Sequence, residues 1–253
     1  MPEDKKVSLL KNFEITIESF DSYLKLINDN FKGLPVQLDK NILFRGQSES
    51  SYNLLPGIAR PNCFRKNILK FENDILTEFK RRSIPFLPKT FNSNSTWEWL
   101  ALAQHFKLPT RLLDWTENPL VALYFAVEKQ KKNNLNSVVW VFCTNEDDFA
   151  DSNNSLINPF NLKNTQVYVP NHMTERIASQ SGWFTIHKYI EEDDKFVSLN
   201  TNNLYRKRIF KIIIPNKLRE DILVKLDRLG VNAFSIYPDL EGLSEFLTWK
   251  YFK

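Results

Sequence analysis

Residues 104–126 read Q-H-F-K-L-P-T-R-L-L-D-W-T-E-N-P-L-V-A-L-Y-F-A, and the architecture is decided here. Arg111 to Trp115 reads as extended chain. Asn118 then suits a helix N-cap, and Pro119 suits the first helical position, where its missing N–H costs nothing. The run that follows, Leu120 to Val127, is apolar all round, so its helix is expected to be buried on every side.

Working outward, Ser137 to Cys143 (S-V-V-W-V-F-C) is continuously apolar and rich in β-branched residues, the pattern of a central strand. Upstream, Asn41 to Gln47 reads as a short strand running into a turn at Gly46. Asn67 to Arg82 is amphipathic, with Ile68, Phe71, Ile75, Leu76 and Phe79 on one helical face, and Trp97 to Phe106 reads as another helix. Ile15 to Asn28 is expected to be a helix capped by Ser19 or Asp21. Val167–Val169, Trp183–His187, Ile209–Ile214 and Ala233–Tyr237 read as strands, Lys217–Leu229 as a helix closed by Gly230, and Leu240–Tyr251 as the last helix. Strict β-α alternation fails in the second half. The expectation is therefore an α+β fold, a single domain whose central mixed or antiparallel sheet of six to seven short strands is flanked by helices. Residues 1–14 would be a lead-in, residues 15–253 the domain, and 145–164 a polar surface loop.

Composition narrows the function. The 253 residues are 42% hydrophobic and 13% aromatic, which supplies a substantial core. A net charge of +4, with basic residues in short clusters such as Lys80–Arg82 and Arg206–Arg208, does not indicate a nucleic-acid surface. No apolar run reaches the length of a membrane span, and two cysteines are too few for a disulfide framework, so a cytoplasmic protein is expected. Neither G-x-G-x-x-G nor a P-loop occurs, no G-x-S-x-G elbow is present, and three histidines and two cysteines show no metal-ligand spacing. No metal is expected. The acidic run Glu191–Asp194 reads as a solvated hairpin tip, and His187 as an ordinary strand residue.

Two stretches carry more ionisable groups than a core needs. In Phe44-Arg45-Gly46-Gln47, a guanidinium at a strand end beside glycine suits a phosphate, ribose or carboxylate; the alternative is an ion pair tying the strand to a loop. In 104–116, Arg111 and Asp114 are expected to be partly buried, either paired with one another as a clamp or engaged with a ligand. Gln104 shares the inward face of its helix with Leu100 and Ala101, and His105 lies on a neighbouring face; each either lines a cleft or serves the fold. Asp239 reads as the cap of the last helix.

F-R-G-Q at 44–47, L-x-P-x-x-x-R ending at Arg60, and the long motif at 104–126 resemble the FRG domain, as do Gln180-x-Gly182-x-Phe184 and the stretch Tyr237 to Leu243. The resemblance runs from about residue 15 to 247. It implies a fold similar to divergent ADP-ribosyltransferases, with NAD as substrate and a role as a toxin or anti-phage defence effector. Carried over by position, Arg45 is the first-strand residue, Thr116 the residue before the buried helix, and Gln180 occupies the slot where such enzymes place Glu. Because Gln180 has no charge, the carboxylate that steadies the cationic transition state would come from Asp114, Glu175, Asp239 or Glu241, with Asp114 and Glu241 favoured. Arg45, Gln47, Arg60, Gln104, His105 and Arg111 would contact the nucleotide. The acceptor macromolecule is left open. The alternative is a non-catalytic domain sensing a nucleotide or a partner in a bacterial or phage defence system.

Overall fold

The computed structural model describes residues 13–29, 31, 41–60, 67–87, 95–129, 135–152, 154, 157–170, 182–193 and 195–252. Its strands in chain order are β1 (Phe13–Thr16), β2 (Asn41–Gln47), β3 (Leu112–Thr116), β4 (Ser137–Thr144), β5 (Gln166–Tyr168), β6 (Gly182–Ile186), β7 (Tyr189–Ile190), β8 (Lys195–Phe196) and β9 (Ile209–Ile214). The α-helices are α1 (Phe20–Asn28), α2 (Ile68–Ser83), α3 (Thr96–His105), α4 (Pro119–Val127), α5 (Arg219–Arg228), α6 (Ala233–Ile236) and α7 (Leu240–Tyr251).

Seven strands form one sheet in the order β1-β9-β4-β2-β3-β6-β5, while β7 and β8 make a separate hairpin. The β1–β9 pair is parallel and the other neighbours are antiparallel, so the sheet is mixed and the fold is α+β. β4 is buried at every position, as its unbroken apolarity requires. Alternation divides its side chains between two cores. Val139, Val141 and Cys143 join Phe44, Phe210 and Ile212 under α4 and α5. Val138, Trp140 and Phe142 join Leu43, Leu113 and Trp115 on the opposite face. A third core packs α3, through Trp97 and Leu100, onto Leu112, Phe184 and Ile186.

α4 begins as its sequence demands, with the Asn118 side chain accepting from the Leu120 and Val121 amides and Pro119 in the first turn. Gly230, at φ +82°, closes α5 in the left-handed conformation that glycine adopts freely. The tip of the β7–β8 hairpin is exposed at Glu191, Glu192 and Asp193.

Three segments depart from the reading of the sequence. Phe13 to Thr16, expected in part to lead in and in part to start a helix, add β1 to the sheet edge instead, and Ser19 starts α1 with a capping box. Ala233–Ile236 is a helical turn rather than a strand, because the Asn232 side chain accepts from the Ser235 amide and winds the chain. The polar segment 145–164 is stitched to the core: Trp97 donates to the Ile157 carbonyl at 3.1 Å, and Leu162, Ile157 and Phe160 pack beside α3.

Candidate functional site

The sheet is continuous in hydrogen bonding except at one seam. β2 shares seven residue pairs with β4, and β3 shares five with β6, but β2 and β3 meet only at Phe44 and Thr116. Beyond that contact the strands separate, and backbone groups facing the gap need partners from elsewhere. Arg45 supplies one, its Nη1 donating to the Asp114 carbonyl at 2.6 Å and to Asp114 Oδ2 at 3.4 Å.

Asp114 is held from its other side as well. Gln104, at the end of α3, donates Nε2 to both carboxylate oxygens at 3.2 and 3.0 Å. The Gln104 Oε1 accepts from Thr110 Oγ1 at 2.7 Å, which fixes the amide with its nitrogen toward the carboxylate. The Asp114 side chain nevertheless stays 54% exposed, against 13% for Arg45. The seam thus presents an open carboxylate beside a nearly buried guanidinium.

Arg45 is not saturated. Its Nε is buried and has no hydrogen-bond partner among the described residues. Burial pulls the guanidinium below its ordinary pKa; the Asp114 charge opposes that pull, and the nearby charge of Arg60 adds to it. Arg60 itself is exposed. Two like charges next to an unmatched buried donor leave the seam electrostatically incomplete, a state that an anionic guest relieves.

Other motif residues make contacts within the fold. Gln47 is buried, with its Oε1 accepting from Trp140 Nε1 at 2.7 Å. Thr116 is buried too and accepts from the Asn118 amide at 3.1 Å, which sets the turn from β3 into α4. His105 is half-buried, its ring edge-on to Phe106. Asp239 caps α7 through the Gly242 amide at 2.8 Å.

Three expectations need correction. Gly46 makes no turn; it lies within β2, and a Cβ there would sit 2.0 Å from the Ala122 carbonyl oxygen, so glycine is required for α4 to close on the strand. Arg111 does not pair with Asp114. It is fully buried, donates from Nε and Nη2 to Glu72 and from Nη1 to the carbonyls of Pro159 and Phe160, and lies over the Phe160 ring. With each guanidinium nitrogen so engaged, Arg111 has nothing left for a nucleotide. Glu241 is exposed in the first turn of α7, part of the helical layer against the other sheet face, so it does not converge with Arg45. Gln180 and Glu175 lie outside the described residues.

A partner for Arg111 is legible in the sequence as Glu72. Ile68, Glu72 and Leu76 are the buried residues of α2, spaced four apart, and a carboxylate within an apolar stripe signals a buried cation partner.

Behind the seam, His187 is more than an ordinary strand residue. Trp115 Nε1 donates to Thr185 Oγ1 at 3.0 Å, which leaves the hydroxyl proton for His187 Nε2 at 3.2 Å. The ring proton therefore belongs on Nδ1, which faces the Val197 carbonyl at 3.4 Å. Burial pushes this imidazole down to about 4; the Val197 carbonyl resists, and the charges of Arg45 and Arg111 add to the fall. The folded pKa lies below the unfolded value, so the unfolded chain binds the extra proton as pH drops through the interval between them. Stability from this group is complete above about pH 6.5 and is lost toward pH 4. Urea unfolding at pH 7 and pH 5 is expected to show His187→Gln losing about 2 kcal/mol less than the wild type over that interval.

These features define an α+β protein whose mixed sheet is parted between two strands, with a cationic seam at the parting. Residues 40–135 match the model of the FRG domain. The matched span contains Arg45, Arg60, Gln104, Thr110, Asp114 and Thr116. No curated protein and no solved structure matches the chain. Among the described residues, no helix is long and apolar enough to cross a membrane.

Proposed function

We propose that the β2–β3 seam is a nucleotide cleft and that the chain is an ADP-ribosyltransferase-like enzyme using NAD as substrate. The observation that carries this reading is the Arg45 guanidinium, nearly buried, with an unmatched Nε and a second guanidinium, Arg60, bearing on it. A diphosphate satisfies both cations at once. Asp114, the exposed carboxylate of the seam, is the acidic group within reach, and Gln104 and Thr110 hold it in place.

In the reaction the bond between ribose C1′ and the pyridinium nitrogen breaks, and its electron pair leaves with neutral nicotinamide. The ribose develops oxocarbenium character, which Asp114 stabilises, and the acceptor nucleophile bonds to C1′ and gives up its proton. Thr116 shapes the cleft from behind. Arg111 and Glu241 have no part in it. The toxin or anti-phage role is proposed from the resemblance to the family, and the cytoplasmic setting from the low cysteine count.

A second reading has its own support. Both Asp114 oxygens already accept hydrogen bonds, an arrangement suited to sensing a nucleotide without reacting. Mass spectrometry after incubation with NAD and a bacterial lysate separates the two. The enzyme reading expects free nicotinamide and a modified acceptor, with the rate cut roughly 10²–10³-fold in Asp114→Asn. NAD binding without nicotinamide release selects the sensor, and absence of both rejects the cleft.

A further inference from the structure

On the sheet face away from Arg45, helices α4 to α7 border a cavity of about 140 Å³ whose lining includes Tyr124, Glu128, Asp227, Glu245, Phe246 and Trp249. Three carboxylates and three aromatic rings line it, with no Lys, Arg or His among the lining residues. Glu128 Oε2 accepts from Tyr237 Oη at 3.2 Å, and Lys129 Nζ stands 3.8 Å from Oε1 but is 77% exposed. Asp227 Oδ1 accepts from Asn232 Nδ2 at 2.9 Å. No described cation forms an ion pair with Asp227 or Glu245.

This negative charge is not focused for a metal. Among the described residues, no three His, Cys, Asp or Glu side chains gather as ligands of one ion. The carboxylates instead surround a hollow with aromatic walls, and ring faces attract organic ammonium groups. The chain itself makes that contact, with Lys250 Nζ 5.0 Å from the Phe246 ring centroid. Burial, together with the charges of Glu128 and Glu245, drives the Tyr124 hydroxyl far above its usual pKa, so the pocket resists one more negative charge and favours a positive one. A hollow of about 150 Å³ accepts a benzene-sized guest, which sets the scale at roughly six heavy atoms.

We infer that this cavity is a binding site for a short aliphatic diamine, held by carboxylates at its ammonium ends and by aromatic rings along its chain. The site is separate from the seam and does not depend on the nucleotide reading. Calorimetric titration of the full chain with 1,4-diaminobutane tests it, with the neutral isostere 1,4-butanediol and with Nα-acetyl-lysine amide as companion probes. The diamine is expected to bind with a Kd of about 1 mM or tighter, and the diol not at all. Glu245 is exposed, so Glu245→Lys should fold normally while weakening the diamine about tenfold or more. No heat with about 10 mM diamine, equal binding of the diol, or an unchanged affinity in Glu245→Lys overturns the site. Tighter binding of the lysine amide overturns the diamine as ligand and makes the pocket a receptor for a partner's lysine.

Discussion

Gly46→Ala is expected to abolish the stable fold, although it adds a single carbon. The new Cβ would lie 2.0 Å from the Ala122 oxygen, 2.5 Å from the Ala126 nitrogen and 2.9 Å from the Phe125 carbonyl carbon. All three are backbone atoms of α4, a helix buried on nearly every side, so no flexible side chain can yield. The cost should exceed the roughly 1–3 kcal/mol usual for overpacking. Gly57→Ala is the control: its nearest contact is Pro109 Cα at 3.5 Å, ordinary packing, and the change should stay within about 1 kcal/mol. Circular dichroism melts of the two variants make the comparison. If Gly46→Ala melts like the wild type, the close approach of β2 and α4 is wrong.

Glu72→Gln should produce the second large effect. Arg111 has no exposed surface, and the Glu72 side chain is only 2% exposed, with Nη2 and Oε2 2.5 Å apart. Removing the carboxylate charge strands a cation in the interior, at a cost of about 3–5 kcal/mol. In a chain of this length that lowers the melting temperature by roughly 6–20 °C. The double change Arg111→Met with Glu72→Leu removes both charges and should recover most of the loss. A double variant no more stable than Glu72→Gln would show that Arg111 matters for its hydrogen bonds to Pro159 and Phe160 rather than for its charge.

What the sequence disclosed and what it concealed divide along physical lines. β4 and α4 were legible because burial on all sides leaves an unbroken apolar run, and α4 also carries its own start signal in Asn118 and Pro119. β1 was not, since Phe13 to Thr16 acquire strand geometry from pairing with β9 about two hundred residues away, which no local pattern records. Ala233–Ile236 looked extended because its apolar residues fit either form, and Asn232 decided the matter through a cap. At the site, Arg45 was read from the stretch 44–47 and Gln104 and Asp114 from 104–116, and the three do meet. Arg111 was assigned to the same group because it is three residues from Asp114, but adjacent strand residues point to opposite faces and its partner came from α2. The parting of β2 from β3 is a property of pairing that composition and periodicity do not encode.

Calorimetric titration of NAD into the wild type, Arg60→Ala and Arg45→Lys tests directly whether Arg45 holds an anionic ligand. Arg60 is exposed, so its removal should leave the fold intact; affinity should fall about tenfold, as the loss of one cation from a diphosphate clamp implies. Arg45→Lys keeps a charge but removes the guanidinium fork, and NAD binding should disappear while the unliganded melting temperature changes little. Equal affinity in all three proteins, or no binding heat in the wild type, would contradict the assignment of Arg45 to an anionic ligand.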